Sequence, residues 1–93
     1  MSEERIMTLH PAGKSGVRIS KDKYDLVRQA IEMVLQQQGE VSFGLLTESV
    51  GALLNGRFQD SIPWYVTTVK LDMEARGILE RVPGSKPQRL RLT

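Results

Sequence analysis

The chain has 93 residues, 40% apolar and 26% charged, with thirteen Lys and Arg against eleven Asp and Glu, which suits one domain with one modest core. It holds no cysteine and a single histidine, His10; disulfides and thiolate nucleophiles are excluded, and a zinc cluster or a buried Ser-His-Asp triad lacks members. No apolar run approaches the ~18 residues of a membrane span, and the opening Met1-Ser-Glu-Glu-Arg lacks the basic-then-apolar layout of a signal peptide. The expectation is a cytoplasmic protein that is not an enzyme and uses no metal and no cofactor.

Residues 1–19 are expected to form an N-terminal arm, irregular or partly extended. Ile6 and Thr8 alternate weakly with Met7 and Leu9, and Val17-Arg18-Ile19 resumes after a turn-rich run. Residues 20–93 form the domain proper. Ser20 is a good N-cap with Asp22 in the first turn, and Tyr24, Val27, Ile31, Val34 and Leu35 recur at helical spacing. The first helix therefore spans Lys21 to Gln38 and stops at Gly39. Leu26, Ala30 and Met33 widen its apolar arc, so a second element, such as the arm, is expected to cover that shoulder.

Glu40-Val41-Ser42 reads as a short strand whose serine caps a second helix, with Phe43, Leu46, Val50, Leu53 and Leu54 on one stripe and Asn55-Gly56 as its end. Phe58 plugs the following turn. Pro63 suits a first helical turn, so the third helix runs from there to Arg76, with Ile62, Val66, Val69 and Met73 as its core stripe and Gly77 beyond. Two strands follow, Ile78 to Val82 and Gln88 to Leu92, joined by Pro83-Gly84-Ser85-Lys86-Pro87. Residues 61–93 sum to +3, and no acid occurs after Arg81. That tip is either a solvated hairpin end that resists edge pairing or a phosphate contact.

This order of elements resembles the winged helix-turn-helix fold. The likeness is carried by Val69-Lys-Leu-Asp-Met73-Glu-Ala-Arg-Gly77-Ile-Leu-Glu-Arg81, which looks like the end of a recognition helix, its glycine stop and the first wing strand. It implies an α+β, mainly helical fold: three helices, a C-terminal β-hairpin wing and an N-terminal arm. At the scale of the whole chain, Leu9-His-Pro-x-Gly-Lys-x-Gly, Trp64-Tyr-Val and Leu71-Asp-x-Glu-Ala-x-Gly resemble a family of small bacterial proteins of unknown function, which supplies no activity.

Winged helices bind duplex DNA or serve as protein-interaction modules. On the DNA reading, Thr67, Thr68 and Lys70 contact the groove, and Lys86, Arg89 and Arg91 hold phosphates. A base-reading helix usually presents Arg, Lys, Asn or Gln, whereas the outer side of this one carries Trp64, Thr67, Thr68, Leu71 and Ala75, with Asp72 and Glu74 nearby to repel phosphate. On the alternative reading, Trp64, Leu71, Leu26 and Met33 form a homodimer or partner interface. A third account has the arm, through Ile6, Leu9 or Val17, folding over Trp64 and Leu71.

Other motifs fail on inspection. Gly13-Lys14-Ser15 resembles the end of a phosphate-binding loop, yet the position five before Gly13 is Thr8 rather than glycine. His10 has no second His or Cys to share a metal. Asp72 and Glu74, two apart on a helix, point in different directions and cannot act as paired carboxylates. Asp22 and Asp25 read as a capping acid and a solvated one, and Tyr65 as packing.

Overall fold

The computed structural model describes residues 4–93; the first residues of the arm, Met1 to Glu3, lie outside the described residues. Local signals set the helix limits. Helix α1 (Lys21–Gln38) is capped by Ser20, whose side chain accepts from the Lys23 amide, and it closes at Gly39 in the left-handed region at φ 80°. Strand β3 (Glu40–Ser42) follows, and Ser42 caps α2 (Phe43–Leu53) by accepting from the Leu45 amide. Ser61 caps α3 (Ile62–Ala75), with Pro63 in the first turn where no intrahelical N–H is needed. Each helix therefore starts on a serine that satisfies an otherwise orphaned donor.

The fold is α+β, with three helices and two small antiparallel sheets, roughly half of it helical. In one sheet the order is β3-β5-β4, where β4 is Leu79–Arg81 and β5 is Arg89–Leu92. Val41 lies opposite Leu90, and Leu79 opposite Leu92. Val41, Leu79 and Leu90 are buried against Val27, Ile31, Leu35, Leu46, Val50, Val66, Val69 and Met73 from the helices. Each such side chain contributes about 1.5–3 kcal/mol of burial. On the other face of the sheet Arg91 stands between Glu40 and Glu80, an alternation of charge across three strands that favours this register over a slipped one.

The arm is more regular than its sequence suggests. β1 (Arg5–Met7) and β2 (Arg18–Ser20) form an antiparallel pair, with Ile6 opposite Ile19. The hydroxyl of buried Thr8 donates to the Val17 carbonyl and accepts from the Val17 amide. Both strands pack against α1, where Ile19 joins the core. The shoulder of α1 has a different cover from the one expected. Ala30 is buried and Leu26 half-buried, while Met33 stays 46% exposed, and their neighbours are Leu53, Leu54 and Arg57 at the end of α2 instead of the arm. Leu53 also departs from its expected core position and is 40% exposed.

Gly16 is fixed by contact. A Cβ there would lie 1.7 Å from the carbonyl oxygen of Thr8. Gly16→Ala is therefore expected to force the arm loop apart at a cost of about 1–3 kcal/mol. Hydrogen exchange should show the Thr8 and Leu9 amides losing protection while α1 and α3 keep theirs; unchanged exchange in the arm would refute the contact.

Candidate functional site

The outer side of α3 differs from the surface that DNA reading requires. Thr67 is exposed, but its hydroxyl donates to the Pro63 carbonyl at 2.8 Å. Thr68 and Leu71 are half-buried and, with Thr8, Leu9, His10 and Val17, line a small pocket beneath the arm loop. The arm thus covers Leu71 but leaves Trp64, which stays 46% exposed and meets Tyr65 edge to face at 4.9 Å between ring centroids. Tyr65 in turn packs edge to face on Phe58.

Lys70 does not sit on the open flank of α3. It is 4% exposed, its ammonium bonds Glu74 at 3.1 Å, and it lies 5.6 Å from the centre of the Phe43 ring. Burial of an ammonium requires such partners. Glu74 also takes Arg81 Nε at 3.4 Å, so Lys70 and the C-terminal end of β4 share one acid.

Asp72 is likewise not a surface acid facing phosphate. Its side chain is fully buried. Oδ1 accepts from the Leu9 amide at 2.8 Å, Oδ2 accepts from the Tyr24 hydroxyl, and Arg76 Nε donates to both oxygens at 2.9 and 3.0 Å. These bonds satisfy a buried carboxylate and join arm, α1 and α3. Burial first, and then the hydrogen bond to Asp72, raise the Tyr24 hydroxyl above its usual pKa of 10.0. The hydrogen bond from Arg76 to Asp72 likewise raises the guanidinium's pKa.

The basic hairpin is largely paired. Arg89 Nε donates to Glu40 at 2.7 Å, with a second bond from its guanidinium to the Glu40 carbonyl at 3.1 Å. Arg91 Nε donates to Glu80 at 2.7 Å. Lys86, at the tip between β4 and β5, is exposed and has no acid beside it among the described residues. Sequence spacing brings Lys86, Arg89 and Arg91 onto one hairpin, yet their acids come from β3 and β4.

A second candidate surface lies between α1 and α2. A cleft of about 270 Å³ is lined by Val34, Gln37, Gln38, Ser49, Ala52 and Leu53. Leu53 also belongs to a neighbouring hollow of about 100 Å³ that includes Leu26, Gln29, Met33 and Arg57. Two of the four expected interface residues, Leu26 and Met33, therefore meet here, while Trp64 and Leu71 belong to α3. Leu53, expected in the core stripe of α2, and Ala52, which the sequence left unassigned, both line this surface, because α2 carries more apolar residues than one buried stripe can hold. Leu45 is 45% exposed. Among the described residues no cluster of three or more His, Asp or Glu could hold a metal, and no helix is long and apolar enough to cross a membrane.

The chain belongs to a family of unknown function, DUF6958, whose family model matches residues 5–90. That span begins at β1 and ends inside β5, so the arm is part of what the family shares. No curated protein matches the chain.

Asp72→Ala is expected to destabilise the fold by about 3 kcal/mol, because it leaves the Tyr24 hydroxyl and the Leu9 amide without their acceptor. Chemical denaturation checks this, and a loss under 1 kcal/mol would contradict the network's role. The raised pKa of Tyr24 makes the folded state hold a proton that the unfolded state releases. Its contribution is therefore complete below about pH 10 and falls as pH rises toward the folded pKa. Tyr24→Phe should flatten that alkaline decline in a pH series of melting curves.

Proposed function

We propose that this chain is a protein-interaction module on a winged-helix type of domain, binding through the α1–α2 face, with no role in reading DNA. The state of the cations carries this reading. Of the four that a DNA complex would use, Lys70, Arg89 and Arg91 already hold Glu74, Glu40 and Glu80, and Lys86 alone lacks an acid among the described residues. Each phosphate contact contributes about one unit to the salt slope of log affinity. One free lysine supplies little of that, and releasing the arginines would break bonds that hold the sheet register.

The winged-helix type is supported by the order helix, strand, helix, helix, hairpin, and by the place of β3 beside β5 in the three-stranded sheet. Protein contact is supported by Met33 and Leu53, both at least 40% exposed on a face whose other lining groups are mostly apolar or amide. Interfaces have this character at their centre, with charge displaced to the rim. The partner's matching surface is accordingly apolar and uncharged at its middle. The role is binding and not catalysis.

The test is a fluorescence-anisotropy titration with mixed-sequence duplex DNA at low salt. We expect no saturable binding up to about 10 μM duplex, a range in which non-specific DNA binders are already engaged at low salt. Salt-sensitive binding lost in a Lys86→Ala, Arg89→Ala, Arg91→Ala triple variant would overturn the reading in favour of DNA.

A further inference from the structure

We infer that the pocket between the arm loop and α3 is a docking site for an acidic peptide segment of a partner protein, which sets one aliphatic side chain into the pocket. This surface shares no lining residue with the α1–α2 face. Leu9 and Val17 of the arm and Leu71 of α3 give the pocket a mainly apolar lining, and its volume is about 90 Å³. Sites for free small molecules commonly measure ~300 Å³ or more, while an apolar cavity of roughly 150 Å³ already holds benzene. A volume of this size suits one valine or leucine side chain, delivered by a larger partner whose other contacts lie outside the pocket.

Polar groups without partners stand at the same pocket. Thr67 donates to the Pro63 carbonyl, but the hydroxyls of Thr68 and Ser15, both at the pocket, make no hydrogen bond among the described residues. The Ala12 amide donates to His10 Nδ1 at 3.1 Å, which leaves Nε2–H of that ring as a further donor. An extended peptide presents the backbone carbonyls and amides that such groups can bond. The loop is already shaped for this, since the Gly13 amide donates to the His10 carbonyl at 3.0 Å and Gly16 lies against the Thr8 backbone. Binding there requires little ordering of the loop.

Charge selects the partner. Residues 5–21 contain no acid. Lys14 adjoins Ser15 of the pocket, Arg18 adjoins Val17, and Arg5 shares the outer face of the β1–β2 pair with Arg18 and Met7. All three cations are exposed, and none has an ion-pair partner among the described residues. Met7 and Leu9, 50% and 44% exposed, add apolar area beside them. An apolar centre with cations at its rim is complementary to a segment whose acids flank an aliphatic residue. A phosphate backbone would meet the cations but leave the pocket empty.

The test is a fluorescence-anisotropy titration of the full chain at low salt with labelled peptides of glutamates around one central leucine. Controls carry alanine at the centre or lysines at the flanks, and vesicles of phosphatidylcholine with and without phosphatidylserine are titrated in parallel. We expect the glutamate–leucine peptide to bind at about 100 μM or tighter, and the alanine peptide about tenfold more weakly. A Lys14→Glu, Arg18→Glu double variant, altered only at exposed positions, should weaken binding by about tenfold. Thr68→Phe, which fills the pocket, should remove the preference for leucine over alanine with an unchanged far-ultraviolet circular dichroism spectrum. No saturation by the leucine peptide up to about 1 mM would overturn the inference. Equal binding of the leucine and alanine peptides would overturn the pocket's role, and indifference to the double variant or to lysine flanks would overturn the charge selection. Binding to phosphatidylserine vesicles without binding to peptide would overturn it in favour of a membrane surface. Each of these outcomes leaves the reading of the α1–α2 face as it stands, because the two surfaces are separate.

Discussion

A buried carboxylate needs a donor for nearly every lone pair it presents, and Asp72 obtains its donors from three separate parts of the chain. The Leu9 amide comes from the arm, the Tyr24 hydroxyl from α1 and the Arg76 guanidinium from the end of α3 itself. None of these partners can leave without exposing charge to an apolar surrounding. The arm is consequently held as part of the domain despite having only two three-residue strands of its own. Thr8 and Gly16 tighten the same region, one by filling both roles of its hydroxyl toward Val17 and the other by letting the backbones approach. Placement of the arm over Leu71 follows from this attachment.

The opposite flank of α3 is fixed by a second polar set with a different logic. Lys70, Glu74 and Arg81 link the helix to β4, while Arg89 and Arg91 are matched to Glu40 and Glu80 on neighbouring strands. The strand pairs are partly exposed and individually contribute little to stability. Their value lies in alignment, because a one-residue slip of β5 would turn its arginines toward Val41 and Leu79 and its leucines toward water. The same pairing changes what the hairpin can do. A run that is acid-free in sequence has two of its cations, Arg89 and Arg91, matched by acids once β3 and β4 are beside it.

Helix limits were legible because the signals are local. Ser20 and Ser42 each cap the helix that follows, Pro63 marks the first turn of α3, and Gly39 ends α1 where the apolar periodicity stops; the Ser61 cap one residue earlier was not read. The two C-terminal strands and the core residues Tyr24, Val66, Val69 and Met73 were readable for the same reason. What was not readable depends on distant partners. Periodicity puts Lys70 and Asp72 on the sides of α3, and nothing near them in sequence announces that Phe43, Tyr24 and Leu9 will close over them. The arm hairpin was hidden because its strands are three residues long and alternate weakly. On α2 the apolar excess was visible, but assigning Leu53 to the core and leaving Leu45 aside needed the direction from which α1 approaches. Of the candidate site, Leu26 and Met33 were found as a shoulder of α1, and their true neighbour, the end of α2, was not.

These attachments also determine which part of the helical layer is left open. α3 is flanked by the arm at Leu71 and Asp72 and by β4 at Glu74, while α1 carries both strands of the arm and touches β5. α2 packs on α1, α3 and the short strand β3. The side of α2 turned from β3 and α3 therefore has no strand across it, and exposed Leu53 lies there beside exposed Met33 of α1. In a domain this small, few faces can be both rigid and uncovered. α2 combines the two conditions because its core side is locked by Leu46, Val50 and Leu54, all at most 2% exposed, while its outer side carries apolar area that the fold itself does not use. An association surface built there costs little ordering of loops, since both of its edges are already helices held by the core.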